Sequence, residues 1–351
     1  MENDILSMLP GEIEQELLRL GEPKYRAGQI FAWLSRGVRD FDEMTDLSKA
    51  LREKLKAEFT LYRPKVLSKQ VSQLDGTIKY LWELADGNAV ETVVMSYKHG
   101  NTVCVSCQVG CRQGCAFCAS TIGGLVRSLR PAEILDEVLF SQLDSGKPIS
   151  NIVLMGIGEP LDNFDNVMRF LELVNHPNGL NIGMRHISLS TCGIIERFDD
   201  LAARDLQLTL SVSLHAPDDE TRSRLMPANR DRGVEALMDA CKRYYERTGR
   251  RISFEYAMID GVNDTERHAR LPAKRAKTVG AHVNLIPLNH VEERAFRPST
   301  AGHMKAFIRI LEDEGVNVTV RRRLGSDVDA SCGQLRRKME KHKDREQRTG
   351  T

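Results

Sequence analysis

No apolar run in the 351-residue chain approaches the roughly 20 residues that a membrane-spanning helix needs, so a helical membrane protein is excluded. The opening Met1-Glu2-Asn3-Asp4 lacks the basic start of a signal peptide, and a cytoplasmic location is expected. No internal repeat is apparent. Excess charge is also lacking: 50 basic residues face 49 acidic ones for a net charge of +1, a balance that argues neither for nor against a nucleic-acid partner. What remains, 41% hydrophobic and 28% charged residues, belongs to a soluble globular protein long enough for one large core plus a small extra domain. The eight cysteines then need a reason. A reducing compartment disfavours structural disulfides, so thiols that cluster there point to metal or redox chemistry.

Three of them stand in Cys111-Arg112-Gln113-Gly114-Cys115-Ala116-Phe117-Cys118. Thiols spaced C-x3-C-x2-C converge on one compact ligand only if the chain between them turns tightly, which Gly114 permits. Soft thiolates select zinc or an iron–sulfur cluster. A structural zinc site wants four protein ligands in paired C-x2-C groups, whereas a [4Fe–4S] cube held by three cysteines keeps one iron open to water or substrate.

The chain before this loop reads in two parts. Pro10, then Ile13, Leu17 and Leu20 with Gly21 as a stop, predict a first helix; Ala27, Ile30, Phe31 and Leu34 predict a second, and Leu51, Leu55 and Phe59 a third. Lys24, Arg26, Arg36 and Arg39 are interspersed in this small helical unit, residues 1–62. Over residues 63–98 the period becomes two: Ile78, Tyr80, Trp82 and Leu84 alternate with the polar Lys79 and Glu83 between the turn signals Asp75-Gly76 and Asp86-Gly87, and a further strand runs Val90 to Met95. This antiparallel extension bridges to residues 99–335. There Val103–Val105, Asn151–Met155, His186–Ser190, Leu208–Leu214, Ile252–Met258, His282–Ile286 and Val316–Val320 read as strands, and Ala132–Gln142, Val167–Leu173, Val234–Tyr245 and Met304–Glu314 as helices. Such alternation predicts a parallel sheet with helices outside, an α/β fold. Pro272 is expected to interrupt the helix before His282. Residues 336–351 form a basic tail.

In parallel α/β barrels the site lies at the C-terminal strand ends, and polar motifs fall there: Gly158-Glu159, Ser190, Ser213-Leu214-His215 and Asn289. Glycine lets the backbone approach a ligand, Glu159 can accept a hydrogen bond from an ammonium group, and Ser and Asn can hold ribose or carboxylate oxygens. Each alone is equally ordinary turn chemistry; four at successive strand ends make a site. Cys332 stands in the polar segment Asp327 to Leu335, whereas Cys241 lies in a helical stretch and Cys192 reads as a small packing residue. The runs Arg321-Arg322-Arg323, Arg336-Arg337-Lys338 and Lys341 to Arg348 could meet phosphate or simply face water.

The cysteine octet resembles the signature of the radical S-adenosylmethionine (SAM) superfamily. Together with Cys104-Val105-Ser106-Cys107-Gln108-Val109-Gly110, Gly123-Gly124-Leu125, Gly156 to Leu161, Ser213-Leu214-His215 and Ser331 to Leu335, it resembles the RlmN/Cfr family of RNA methyltransferases over nearly the whole chain. The resemblance implies a partial (β/α)6 radical SAM barrel with an RNA-binding N-terminal helical domain. It implies a [4Fe–4S] cluster on Cys111, Cys115 and Cys118, and SAM held by Gly158, Glu159, Ser190, Ser213, Leu214, His215 and Asn289. Cys332 would be the methyl-carrying residue, Cys104 its resolving partner, and Glu91, in Val90-Glu91-Thr92-Val93, the proton acceptor; Cys107 stands where the family carries Ser. Two SAM molecules would serve each turnover, one to methylate Cys332 and one to give the radical that takes hydrogen from that methyl group, and a transient disulfide between Cys332 and Cys104 would end it. The implied substrates are 23S rRNA and tRNA, methylated at adenine C2, with a donor such as flavodoxin, no membrane and a monomeric enzyme. Gly280 to Asn289 looks closer to the C2 enzymes than to the Cfr-type C8 enzymes. A non-catalytic iron–sulfur RNA-binding protein would have no need of both Cys104 and Cys332.

Overall fold

The structure is a computed structural model that describes residues 4–289, 291–328 and 335. Its first helices, α1 (Pro10–Arg19), α2 (Arg26–Ser35) and α3 (Lys49–Glu58), form where the apolar spacing predicts them. Pro10 occupies a first-turn position that needs no N–H, Gly21 ends the first helix at φ 71°, and the Ser48 hydroxyl accepts from the Leu51 N–H to cap the third. The buried faces of the three close on each other through residues such as Ile13, Phe31 and Leu51.

The strands β1 (Lys65–Val71), β2 (Ile78–Glu83), β3 (Ala89–Tyr97) and β4 (Gly100–Cys104) run antiparallel in sequence order. A small ribbon, β5 (Gln108–Gly110) with β6 (Leu125–Ser128), brackets the cysteine loop. Strand and helix then alternate: α4 (Pro131–Ser145), β7 (Ile149–Leu154), α5 (Phe164–Asn175), β8 (Ile187–Thr191), α6 (Phe198–Ala203), β9 (Thr209–Ser213), α7 (Asp219–Leu225), α8 (Gly233–Thr248), β10 (Ile252–Met258), α9 (Glu266–Thr278), β11 (His282–Pro287), α10 (Ala301–Asp313) and β12 (Val318–Val320). From β4 onward the pairing is parallel, in the order β4-β7-β8-β9-β10-β11-β12. Six strand–helix units and a short seventh strand thus form an arc with β1 at one edge and β12 at the other: a partial barrel extended by an antiparallel wing. Among the described residues no helix is long and apolar enough to cross a membrane.

Arg63 ties the helical unit to the barrel. Its guanidinium, 2% exposed, pairs with Asp136 of α4 at 2.5 Å and donates to the carbonyls of Leu34 and Val38. Two charges leave water at a large desolvation cost, which this dense set of partners offsets.

One expectation fails here. Helix α9 runs unbroken through Pro272, which lies on its buried face with Ala269, Ala273 and Ala276. The small side chains let that face settle closely on the sheet, so packing outweighs a proline penalty of about 3 kcal/mol. The polar side of β2 is buried as well. Lys79 has no exposed surface, because the wing is covered on both faces.

Candidate active site

The C-terminal ends of the parallel strands open onto a cavity of about 600 Å³. Its wall brings together Cys111, Cys115 and Cys118 from the loop, Gly158 and Glu159 after β7, Ser190 of β8, Ser213 and His215 at the end of β9, and Asn289 after β11. Leu214 is fully buried behind it and takes part through its backbone: its N–H donates to the Glu255 carbonyl and its own carbonyl accepts from Arg222. Glu91 and Cys104 are not on the wall itself. They share the inner face of the wing with Val93 and Met95, which are, and Cys104 stands directly opposite Val93. Cys332 lies outside the described residues, and with it the Cys332–Cys104 pairing; among the described residues no disulfide joins two cysteines.

Backbone hydrogen bonds and the Thr121 and Arg294 side chains shape the cysteine loop. The Cys111 N–H donates to the Gly124 carbonyl, Ala116 N–H to Leu225 carbonyl, and the Thr121 hydroxyl to the carbonyls of Cys115 and Cys118. Gly114 turns the loop at φ 71°. Burial pushes the Cys111 thiol up to about 12 and raises that of Cys115 as well. A metal that binds there would do so by displacing the thiol protons. Among the described residues only Asp260, Asp264 and His303 gather metal-type ligand atoms within 4.8 Å of one another. Three cysteines on one cavity wall, rather than four, suit a cube with one open iron better than tetrahedral structural zinc.

The neighbouring subsites are rigid. At Gly158, φ 113°, a Cβ would stand 2.7 Å from Gln108 Cβ and 2.8 Å from Cys107 Sγ, so only glycine fits. The Glu159 carboxylate accepts from the N–H groups of Leu161 and Cys192, at 3.0 and 2.7 Å, which joins the turn after β7 to the end of β8; burial raises its pKa. His215 adopts φ 53°, and its Nδ1 accepts from the Ala257 N–H at 2.9 Å. Burial lowers its pKa to about 3, so the imidazole is neutral, with Phe117 edge-on at 5.0 Å.

Several site residues escape the sequence reading. The buried guanidinium of Arg222 donates to the carbonyls of Cys192, Ser213 and Leu214 and to Asn229 Oδ1, locking the ends of β8 and β9. Glu255, on the cavity wall, accepts from Ser253 Oγ and Asn284 Nδ2; a carboxylate inside the apolar run Ile252–Met258 is the signal that could have flagged it. Cys192 is more than packing, since it lines the cavity with Sγ 3.5 Å from Gln113 Oε1. Glu91 is not solvated: it is 3% exposed, with Oε2 2.8 Å from Lys79 Nζ.

The basic run after β12 reaches the cavity mouth. Arg321, Arg322 and Arg323 all line it, with Arg323 donating to the Leu288 carbonyl and Arg322 and Arg323 exposed. The following turn is pinned to the wing: Gly325 N–H donates to Asp75, and Asp327 accepts from Ser72 and Gln73. Leu335 packs on Leu81 and Ala89 of the same wing.

Comparison with known proteins agrees with this geometry. Residues 105–271 match the radical SAM superfamily, and residues 3–61 match the ribosomal RNA large subunit methyltransferase N-terminal domain. The chain is 54% identical over 330 residues, 94% of each chain, to the "Probable dual-specificity RNA methyltransferase RlmN" of Desulforamulus reducens. It is 48% identical to the protein of that name in Clostridium tetani, over 98% of both. A crystal structure of a radical SAM methyltransferase from Sphaerobacter thermophilus superposes with a TM-score of 0.89 at 41% identity, covering 95% of this chain and 98% of that one.

Proposed function

The chain belongs to the RlmN family of dual-specificity RNA methyltransferases within the radical SAM superfamily, and from that premise we propose that it methylates C2 of one adenosine in 23S rRNA and of the adenosine 3′ to the anticodon in a subset of tRNAs. It is a SAM-dependent RNA methyltransferase, and its superfamily uses a [4Fe–4S] cluster. Adenine C2 is an electron-poor carbon with no lone pair to offer, so direct displacement on SAM is closed to it. When bound, the cluster and SAM supply the methyl group and a carbon radical able to take hydrogen from a methyl group.

The chain's own residues do the rest. Cys111, Cys115 and Cys118 hold the cluster as thiolates. Gly158-Glu159, Ser190, Ser213 to His215 and Asn289 hold SAM against it. Cys332 gives up its proton and accepts the methyl group on sulfur. After a hydrogen atom is removed from that methyl, its carbon joins adenine C2 as a radical adduct; Glu91 takes the C2 proton, and the unpaired electron would return to the bound cluster, leaving a closed-shell thioether between Cys332 and adenine. The Cys104 thiolate then attacks the Cys332 sulfur: an S–S bond forms as the S–C bond breaks, the electron pair stays on the carbon attached to adenine, and a proton completes the methyl group. Reductant resets the disulfide, with flavodoxin as the expected electron donor, in the cytoplasm.

The single observation that carries this reading is the shared cavity: the cysteine loop and four strand-end motifs face one space, and the Cys104 face of the wing adjoins it. Nucleosides from RNA treated with the reconstituted enzyme are expected to contain 2-methyladenosine by mass spectrometry. If 8-methyladenosine appears instead, the C2 assignment is wrong.

The target base must leave its stack to enter the cavity, and the exposed arginines at the mouth are placed to meet the phosphates beside it. Replacing Arg321, Arg322 and Arg323 together by Gln is expected to weaken RNA binding and to flatten the log–log salt dependence by about 2 to 3. Filter binding over a salt series measures this. An unchanged slope returns the run to solvated surface.

A further inference from the structure

Lys79 on β2 is the buried cation the mechanism leaves unused. It has no exposed surface, and its Nζ lies 2.8 Å from Oε2 of Glu91 on β3. In the antiparallel register Lys79 stands opposite Val93, and Leu81 opposite Glu91, so the two charged side chains are diagonal neighbours on one face. Val93 and Met95 continue that face to the cavity, and Cys104 adjoins Val93 from β4. Leu81, Ala89 and Leu335 cover its other end.

Stability gives no reason for such a pair. A lysine almost never lies fully buried unless it is paired, and well-packed apolar side chains of similar volume usually serve a fold as well as a buried ion pair, or better. A pair kept beside a cavity, with one member matching the proton acceptor, calls for a functional account. Among the described residues, the other titratable groups near it include Glu83 on β2 with Lys65 of β1 opposite, the Cys104 thiol on the same face, and Glu137 of α4 behind the sheet. The Glu137 carboxyl is raised by burial first, and Glu91 adds to it.

We propose that Lys79 is the positioning residue for Glu91: its ammonium supplies the countercharge that a buried carboxylate needs and fixes that carboxylate on the wing where the adenine C2 proton must be taken. Only a proton moves in that step. The C2–H bond breaks, its electron pair stays with the ring, a Glu91 oxygen receives the proton, and Lys79 neither gains nor loses one. The inference rests on the reading of Glu91 as the base.

The test uses the full-length, cluster-loaded enzyme and RNA carrying hydrogen or deuterium at C2 of the target adenine. Wild type, Lys79→Met, Lys79→Arg and Glu91→Gln are compared in three products: methylated protein, covalent protein–RNA adduct and methylated RNA. In Lys79→Met, protein methylation per folded molecule is expected to persist, while RNA methylation falls by about 10²- to 10⁴-fold, the range for loss of a positioned base. A primary deuterium isotope effect larger than in wild type should emerge, and Lys79→Arg, which restores a cation, should recover part of the rate. If Lys79 only holds the strands together, all three products fall by one factor that follows the folded fraction in thermal melts, no isotope effect emerges, and the inference is overturned. Lys79→Gln carries the same measurement if Lys79→Met does not fold. The two readings fail differently: normal RNA methylation by Glu91→Gln removes Glu91 as the base, whereas a block in Glu91→Gln alongside normal Lys79→Met keeps Glu91 and removes Lys79.

Discussion

Replacing Cys111, Cys115 or Cys118 by Ala is expected to abolish iron binding and SAM cleavage together, with no measurable RNA methylation remaining. Three thiolates are the smallest set that holds a cube with one open iron, so no spare ligand compensates for a loss. The fold should survive, because the loop is shaped by bonds that an alanine keeps: the Cys111 N–H to Gly124, the Ala116 N–H to Leu225, and the Thr121 hydroxyl to the carbonyls of Cys115 and Cys118. Anaerobic reconstitution of the wild type should give about four irons per chain, and melts of the metal-free variants should match the metal-free wild type. Cys192 and Cys241 are the controls. Cys241 lies on the buried face of α8, and Cys192 shares the cavity with the loop, so Cys192→Ala is the sharper comparison. Both alanine variants should retain the cluster. Full activity in any one of the three loop variants would sink the three-ligand assignment.

The parts of this site legible in the sequence are those whose chemistry is local. Cysteine spacing, a glycine at a turn, and the change from apolar to polar residues where a strand ends are all written within a few positions, so the strand ends carrying Glu159, Ser190, Ser213 and Asn289 could be placed without coordinates. Strand β10 falls on the predicted residues because its seven positions are all buried. Charged residues inside the protein are a different matter. Lys79 reads as the polar side of a hairpin and Arg222 carries no local signal at all; whether a charge is buried depends on partners far away in sequence. For Arg222 those are carbonyls at the ends of β8 and β9, and for Lys79 the carboxylate of Glu91. Pro272 fails for the same reason, since a local penalty is outweighed by packing that only the folded sheet supplies.

Cys332 and Cys104 are expected to separate in time when each is replaced by Ala, because the proposed mechanism uses one at the start and the other at the end. Cys332 accepts the methyl group before RNA is attacked. Cys332→Ala should therefore keep its iron yet yield neither methylated protein nor methylated RNA. Cys104 acts only once a carbon bridges protein and adenine, when a second sulfur must take the Cys332 sulfur as the base departs. Its position fits that late role: it is 4% exposed, on the wing face beside Val93 and Met95, and Leu324 packs into the same cluster. Of the described residues that flank Cys332 in the chain, Val328 lines the cavity and Leu335 packs on the wing. Cys104→Ala should thus methylate Cys332, attack RNA and stop there, accumulating a covalent protein–RNA species that runs as a slow band in a denaturing gel and maps to Cys332 after digestion. Release of methylated RNA at the normal rate by Cys104→Ala, with no trapped adduct, would leave Cys104 as a packing neighbour of the cavity and end its resolving role.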